Sequence, residues 1–187
     1  MPKIPGTALN SRPSAENGAS PERSQTPVAD LALRPARPSD LDFIIDLCRK
    51  VFLEFGSYDH YIQEWFGEEI VSTFVASVEG APAGFFMLAI HPASPKQEAV
   101  AELISIAVVT EARSRGIGAA LLDRAIALAR ESNLDLREIR LSVAEGNARA
   151  QRMFARRAFR IGHVIGLYPA GQRALFMTKA LKREAKS

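Results

Sequence analysis

The stretch AELISIAVVTEARSRGIGAALLDRAIALA, residues 101–129, decides the fold of this chain. It begins with an apolar run, Leu103 to Val109, whose many β-branched residues predict a buried strand. A polar turn follows, and Gly116-Ile117-Gly118 then opens a stretch whose apolar residues recur at helical spacing up to Ala129. The first amides of a helix have no intrahelical acceptor, and glycine lets an anion approach the backbone. The strand, glycine turn and helix therefore predict a phosphate site.

The spacing of the glycines narrows the kind of phosphate ligand. A dinucleotide site needs G-x-G-x-x-G and a P-loop ends in Gly-Lys-Ser/Thr, and this turn has neither pattern. It reads Arg113-x-x-Gly116-x-Gly118, which resembles the pyrophosphate-binding motif of the GNAT superfamily of acetyl-CoA-dependent N-acetyltransferases. The predicted strand before the motif and the helix after it match the context that the motif has in that family.

A second segment carries the same resemblance. The pattern LSV-x-x-x-Asn147-x-x-Ala150-x-x-x-Phe154-x-x-x-x-Phe159 is similar to the GNAT signature Asn-x-x-Ala-x-x-Leu-Tyr-x-x-x-Gly-Phe after a strand. On a helix, positions 147, 150 and 154 share one face. The opening Leu-Arg-Pro-Ala-x-x-x-Asp at residues 33–40 also resembles the start of this family. Together the resemblances cover residues 31–181.

The remaining patterns predict an α/β (α+β) fold. Strands are predicted at 31–34, 73–78, 84–90, 100–109, 138–143, 159–164 and 174–178, and helices at 39–55, 58–70, 116–129 and 147–157. The resemblance implies the GNAT fold, a mixed central sheet of six to seven strands flanked by four helices. The proline-rich composition of residues 1–29 predicts a disordered tail. The resemblance implies a single N-acetyltransferase domain at residues 30–183, and residues 184–187 are predicted to form a second tail.

Composition limits the class of protein and its location. The chain has 187 residues, of which 47% are hydrophobic and 24% charged, as in soluble domains. It has no apolar run near the roughly 20 residues of a membrane span and no secretory signal at its start, so we expect no membrane partner. The single cysteine, Cys48, falls in an apolar helical pattern and is predicted to be a buried structural thiol. Without an internal disulfide, a cytoplasmic location is the simplest expectation.

Basic residues are concentrated in the last part of the chain. After Gly146 there are ten Lys or Arg residues and one acid, Glu184, although the net charge is only +3. This asymmetry suits a phosphate-bearing cofactor, an acidic partner or nucleic acid, and charge alone does not choose among them. In view of the GNAT resemblance we do not expect nucleic acid as the partner, and a homodimer is left open.

The resemblance implies acetyl-CoA as co-substrate and no metal. The cofactor-binding residues that it implies are Ile106, Ala107, Val108, Arg113, Ser114, Arg115, Gly116, Ile117, Gly118, Ala119, Asn147 and Phe154. In this family the pantetheine arm pairs with the central strand, here through Ile106 and Val108, and the Val108 amide would polarise the thioester carbonyl. Arg149, Arg152 and Arg156 lie at helical spacing, and we interpret them as a solvated helix face, with the CoA 3'-phosphate or an acidic partner as the alternative.

Acetyl transfer to an amine needs a base, because an alkylammonium must lose a proton before it attacks. Glu102 is the main candidate, since it lies four residues before Ile106 and unbroken strand alternation would place both side chains on one face. It also coincides with the glutamate base of the histone-acetyltransferase branch. Glu98 and His91 are weaker alternatives, and His163 is interpreted as structural.

The general acid is less well defined by the sequence. The family commonly has a tyrosine at the position of Phe154, and phenylalanine cannot donate a proton. Phe154 is expected to pack against the pantetheine arm, and Tyr168 is our candidate for the acid, with Tyr58, Tyr61 or water as alternatives. We therefore expect direct acetyl transfer to a primary amine, on a protein N-terminus or a lysine. The alternatives are a small-molecule amine acceptor, or a catalytically weak module that binds CoA or nucleic acid.

Overall fold

The computed structural model describes residues 30–56, 59–95 and 98–181, and the two predicted tails and Tyr58 lie outside them. The strands are β1 Leu31–Pro35, β2 Val71–Val78, β3 Ala81–His91, β4 Val100–Val108, β5 Glu138–Ala144, β6 Arg160–Leu167 and β7 Arg173–Ala180. The α-helices of the described residues are α1 Leu41–Phe52, α2 Asp59–Trp65, α3 Ile117–Glu131 and α4 Ala148–Ala155. The strands form one sheet in the order β1-β2-β3-β4-β5-β7-β6. Only β4 and β5 are parallel among its neighbours, so the predicted α/β class with a mixed sheet is confirmed.

The two faces of the sheet carry separate hydrophobic clusters. On one, which we call the α3 face, Phe86 and Leu88 pack with Leu121 and Leu122 of α3. On the other, the α1 face, residues such as Phe85 and Met87 pack with Ile44 and Cys48 of α1 and Ile62 of α2. Cys48 is a buried thiol, as predicted.

Two helix predictions differ from the structure. The second helix was predicted to reach Ile70, but α2 ends at Trp65, because Gly67 takes a positive φ of +92° and β2 begins at Val71. Asp40 immediately precedes α1, as predicted for a cap, but its carboxylate makes no capping hydrogen bond to that helix. It instead accepts hydrogen bonds from Arg34 and from the Arg37 amide, which joins β1 to the start of α1.

A β-bulge interrupts β4. Met87 pairs with Ser105 whereas Leu88 pairs with Leu103, so Ile104 is an extra residue in this strand. As a result, Leu103 and Ile106 both pack on the α3 face, and Ile104 packs on the α1 face. The prediction that Glu102 and Ile106 share a face is therefore wrong, because it assumed an unbroken alternation. Glu102 lies on the α1 face.

The strands β4 and β5 separate shortly after they meet. They are paired only at Ala101–Ile139, Glu102–Arg140 and Leu103–Leu141. Beyond this point β5 remains paired with β7 as far as Ala144. The second half of β4 therefore faces an opening in the middle of the sheet.

Candidate active site

The glycine turn brings the free end of a helix to this opening. Ser114 and Gly116 have positive φ values of 65° and 85°, which turn the chain into α3. Glycine takes this left-handed conformation readily, and other residues rarely do. The Ala120 amide bonds to the Gly116 carbonyl at 3.0 Å, and the three helical amides before Ala120 have no intrahelical acceptor. Together with the helix dipole they favour an anion at this position.

The backbone of β4 directs two further amides into the opening. Val109 N donates to Ala83 O at 2.9 Å, on the side of β3. Because successive amides of a strand point in opposite directions, those of Ile106 and Val108 point away from β3. The Val108 carbonyl points the same way and accepts a hydrogen bond from Arg113 Nε at 3.2 Å. The glycine turn is thereby tied to the strand edge.

A cavity of about 570 Å³ occupies the space between the strand edge, the turn and α4. Ten of the predicted cofactor-binding residues line it: Ile106, Ala107, Val108, Arg113, Ser114, Gly116, Ile117, Gly118, Ala119 and Asn147. The Asn147 side chain also accepts a hydrogen bond from the Ala150 amide at 3.1 Å, which begins α4 at the cavity wall. The phosphate-binding motif and the second signature therefore meet at one site.

Two predicted cofactor residues lie elsewhere. Arg115 is exposed and does not line the cavity. Phe154 is only 3% exposed and packs against Phe159, with the ring centroids 5.8 Å apart. The cavity wall is formed by its neighbour Met153, whose sulfur would lie 3.1 Å from a Cβ at position 118. Helical spacing predicted that position 154 shares a face with positions 147 and 150, but in the structure the Phe154 ring lies on the buried side of α4.

Arginine side chains make the cavity strongly basic. Arg149, Arg152 and Arg156 are exposed, as interpreted from the sequence, and they line the cavity as well, so this solvated helix face is also the wall that a ligand in the cavity would meet. Arg149 also reaches across to the glycine turn, where its Nη2 donates to Ser114 Oγ at 3.3 Å. Arg157 lines the same wall, and its hydrogen bond with Asp123 raises its pKa further.

Sequence reasoning missed the contribution of the first helix. Lys50 and Val51 of α1, and Glu54 of the turn that follows it, also line the cavity. They lie about 60 residues before the glycine motif, and no local pattern connects them to it. The spacing of the three arginines on α4 was the one signal that pointed to a further wall.

Glu102 lies where β4 and β5 begin to separate. It is in the middle of the three residue pairs that join these strands. Its Oε2 accepts hydrogen bonds from Arg140 Nη2 at 2.8 Å and Nε at 3.1 Å, and His91 Nε2 lies 3.9 Å from the same oxygen. Glu98 instead pairs with Arg137 at 3.0 Å, before the strands begin. Two of the three candidate bases, Glu102 and His91, therefore form one cluster at the base of the opening.

Tyr168 approaches the opening from the loop between β6 and β7. Its hydroxyl donates to Ser142 Oγ at 3.4 Å. Ser142 is two residues beyond Arg140 on β5, so it lies on the same sheet face as the Arg140–Glu102 pair, beside the widening gap. Burial raises the pKa of Tyr168, which keeps the phenol protonated at neutral pH. The alternative Tyr61 stacks on Trp65 within α2, with the ring centroids 5.7 Å apart.

A second cavity, of about 710 Å³, adjoins the first. The two share Glu54, Asn147 and Arg149 in their linings. Its other walls come from the β5–α4 and β6–β7 turns, where Glu145 pairs with Arg173 at 3.0 Å. Gln172 Nε2 donates to the Glu54 carbonyl at 3.1 Å and so joins the last hairpin to the end of α1. This cavity carries acids and arginines in equal number, whereas Glu54 is the one acid among several basic residues in the lining of the first.

Within the described residues, no helix is long and apolar enough to cross a membrane. The same part of the chain holds no cluster of three or more His, Cys, Asp or Glu side chains suited to a metal ion.

Comparisons with known proteins are consistent with this geometry. Residues 41–159 match the profile described as Acetyltransferase (GNAT) family. A search of curated protein sequences returned no match.

Solved structures share the fold at low sequence identity. Ard1 from Thermoplasma volcanium is 23% identical, with a TM-score of 0.71 over 83% of this chain and 100% of that one. Arabidopsis thaliana NAA60 in complex with acetyl-CoA is 19% identical, with a TM-score of 0.67 over 81% and 98%. Ribosomal-protein-alanine N-acetyltransferase from Brucella melitensis is 22% identical, with a TM-score of 0.66 over 80% and 99%.

Proposed function

Because the chain belongs to the GNAT family of acetyltransferases, we propose that it transfers the acetyl group of acetyl-CoA directly to a primary amine. One observation carries the proposal: the glycine turn, the unpaired edge of β4 and the arginines of α4 line a single cavity. These three features supply the groups that a pyrophosphate, an extended pantetheine arm and a further phosphate need.

The residues of the cavity fit acetyl-CoA part by part. The amides at the start of α3, with Arg113, would hold the pyrophosphate. The outward amides of Ile106 and Val108 would pair with the pantetheine arm, and that of Val108 would also stabilise the oxyanion that forms on the thioester carbonyl. Arg149, Arg152 and Arg156 would bind the remaining phosphate, and Met153 packs beside the turn.

Glu102 and Tyr168 are proposed as the acid–base pair. Glu102 would accept a proton from the acceptor ammonium, which leaves a neutral amine that can attack the acetyl carbonyl carbon. Tyr168 would donate its proton to the CoA sulfur as the carbon–sulfur bond breaks, and then recover a proton from water. Both side chains lie on the α1 face at the opening between β4 and β5, which supports attack from that side without a covalent enzyme intermediate.

For the acceptor we propose a peptide, through its N-terminal amine or a lysine side chain. The second cavity supports this, because it adjoins the basic one and offers backbone and side-chain groups of both charges to an extended chain. The likeness to Arabidopsis NAA60, solved with a bisubstrate analogue, and to the Brucella ribosomal-protein-alanine N-acetyltransferase points the same way. A small-molecule amine is the alternative.

The test is acetyl-CoA-dependent release of CoA thiol against three sets of acceptors. These are peptides with a free N-terminus, N-terminally blocked peptides with one lysine, and small amines including polyamines. We expect turnover with peptides. Turnover that is faster with polyamines than with every peptide would favour the small-molecule alternative. If acetyl-CoA binds but no acceptor gives turnover, the chain is a CoA-binding module and the enzymatic proposal fails.

A further inference from the structure

We propose that His91 is a second proton carrier, which takes the proton from Glu102 and passes it to solvent. This inference rests on the proposed function, in which Glu102 is the base for acetyl transfer. It assigns a role to a side chain at the end of β3 that otherwise has no part in the reaction.

The observation behind it is a buried nitrogen without a partner. His91 Nε2 is shielded from solvent and makes no hydrogen bond within the described part of the chain. Buried polar atoms are nearly always hydrogen-bonded, because an unsatisfied one has lost its contacts with water and gained none in return. The nearest charged group is Glu102, whose Oε2 lies 3.9 Å away. Part of the imidazole is still open to solvent, since its side chain is 23% exposed.

The register of β3 and β4 explains why these side chains meet. His91 pairs with Val100, and Ala89 pairs with Glu102, so His91 and Glu102 are diagonal neighbours on the α1 face. Diagonal neighbours lie within reach of long side chains. The residue directly opposite Glu102 is the small Ala89, which leaves room above it for the imidazole to approach the carboxylate. A modest rotation would bring the 3.9 Å separation to hydrogen-bond distance, about 2.7–2.9 Å for a charged pair.

The remaining contacts of Glu102 leave one oxygen for the acceptor. Both hydrogen bonds from Arg140 go to Oε2, the oxygen that also faces His91. Within the described residues, Oε1 accepts no hydrogen bond. Arg140 therefore fixes the orientation of the carboxylate, with Oε2 toward His91 and Oε1 available to an ammonium.

Other charged groups surround this end of the sheet. Glu69 precedes β2, Glu98 precedes β4 and Arg137 precedes β5, at the same end as His91. Glu98 and Arg137 neutralise each other, with 3.0 Å between Nη1 and Oε1. Arg140 is hydrogen-bonded to Glu102. Glu102 is therefore the group next to the imidazole whose charge changes during turnover.

The proton balance is simple. The acceptor ammonium gives one proton to Glu102, and the resulting neutral amine attacks the thioester. As the amide forms and the carbon–sulfur bond breaks, the nitrogen loses a second proton to water, which balances the proton that Tyr168 gives to the CoA sulfur and recovers from water. Glu102 then gives this proton to His91 Nε2 and returns to the carboxylate, and the imidazolium releases the proton from its other nitrogen to water. The net reaction forms one amide and one thiol and releases one proton.

Chemical rescue distinguishes a relay from a packing role. We expect His91→Ala to lower kcat by on the order of 10²-fold, with the KM for acetyl-CoA unchanged, and added imidazole to restore much of the loss. His91→Gln fills the site without carrying a proton, and we expect a similar loss. Glu102→Gln should not respond to imidazole. His163→Ala is the matched control and should keep the native rate, because His163 is an exposed ring on β6 that is tilted against Phe176 of β7, outside both cavities.

An NMR measurement of the imidazole resonances tests the contact without any need for turnover. The ring chemical shifts of His91 should change when Glu102 is changed to Gln, and those of His163 should not. Unchanged His91 resonances, or a loss of kcat that imidazole does not restore, overturn the relay while acetyl transfer stands. Absence of turnover in the native protein with every acceptor overturns the proposed function itself, and the resonances then still report whether the two side chains interact.

Discussion

At the scale of single residues, the groups proposed for acid–base chemistry lie on either side of two strands that separate. Glu102 is held by Arg140 at the second of the three residue pairs that join β4 and β5. Tyr168 reaches β5 beyond that point, through Ser142. The two groups therefore face one gap from opposite strands. In the proposed mechanism, the hydroxyl that Phe154 lacks would come from Tyr168, in a loop rather than in α4.

Glu102→Gln is expected to lower kcat by on the order of 10²–10⁴-fold, because an amide cannot accept the ammonium proton. The KM for acetyl-CoA should not change, since Glu102 does not line the basic cavity. Steady-state kinetics across pH measures both effects. The rise of the native rate with pH should be flattened in the variant, and an unaltered profile would exclude Glu102 as the base.

Tyr168→Phe is expected to lower kcat by on the order of 10²-fold with acetyl-CoA affinity preserved, because only the proton donor is removed. Burial raises the pKa of Tyr168, so the phenol should remain a donor throughout the neutral range. The matched variant is Tyr61→Phe, on the aromatic stack of α2. A larger loss in Tyr61→Phe than in Tyr168→Phe would transfer the acid role to α2.

At the scale of elements, two junctions matter most: the start of α3 and the start of α1. The first brings free amides to the cavity through a left-handed glycine. The second is held by Asp40, which is 6% exposed and bonds to Arg34 at 2.7 and 2.8 Å. The first junction is the proposed phosphate site, and the second fixes α1 against the edge of the sheet.

Gly118→Val should weaken acetyl-CoA binding at least tenfold. Even a Cβ at this position would lie 3.1 Å from Met153 Sδ, and the added methyls would enter the space before the helical amides. Isothermal titration with acetyl-CoA measures the effect. Gly162→Ala is the control, because its Cβ would make ordinary contact with Phe176 at 3.7 Å, away from the cavity. Equal affinity in both variants would contradict the phosphate site.

Asp40→Asn should destabilise the fold by about 2 kcal/mol at neutral pH. The hydrogen bonds from Arg34 lower the pKa of Asp40 from 3.8 to about 2. The unfolded chain therefore takes up this proton first as the pH falls, and the stabilisation is complete above about pH 4 and lost toward pH 2. Urea unfolding at several pH values measures it.

The control for that series is Asp42→Asn, an exposed carboxylate in the first turn of α1. We expect this substitution to change the free energy of unfolding by no more than about 0.5 kcal/mol. If the free energy of unfolding depends on pH in the same way for both variants between pH 4 and 2, the ion pair of Arg34 and Asp40 is not the cause of that dependence.

At the scale of the whole molecule, distant segments contribute to one basic cavity. Lys50 comes from α1, Arg113 from the glycine turn and the arginines from α4. Their combined charge should attract a polyanion such as acetyl-CoA, and more strongly at low ionic strength.

Acetyl-CoA at about 100 times its Kd should stabilise the native protein by about 2.7 kcal/mol, which is roughly 5–10 °C in Tm for a domain of this size. Thermal unfolding with and without the ligand measures this shift. The double variant Arg149→Ala/Arg156→Ala should lose most of the shift at an equal ligand concentration. Arg160→Ala, an exposed change on β6, should keep it. A full shift in the double variant would exclude α4 as a phosphate wall.

The sequence by itself determined most of the elements and the glycine turn before α3. Helical spacing, β-branched runs and the glycines at 116 and 118 act on neighbouring residues, so they can be interpreted without knowing the rest of the fold. For the same reason Asn147 was correctly placed at the start of α4.

Only the tertiary structure decided which side chains meet. The bulge at Ile104 depends on pairing with β3, and it moved Glu102 to the α1 face. Burial of Phe154 against Phe159 depends on the packing of α4, and the same packing turned three arginines into the cavity. The contact of His91 with Glu102 depends on strand register. Local patterns encode backbone conformation, whereas contacts between residues far apart in the chain depend on how the finished elements pack together.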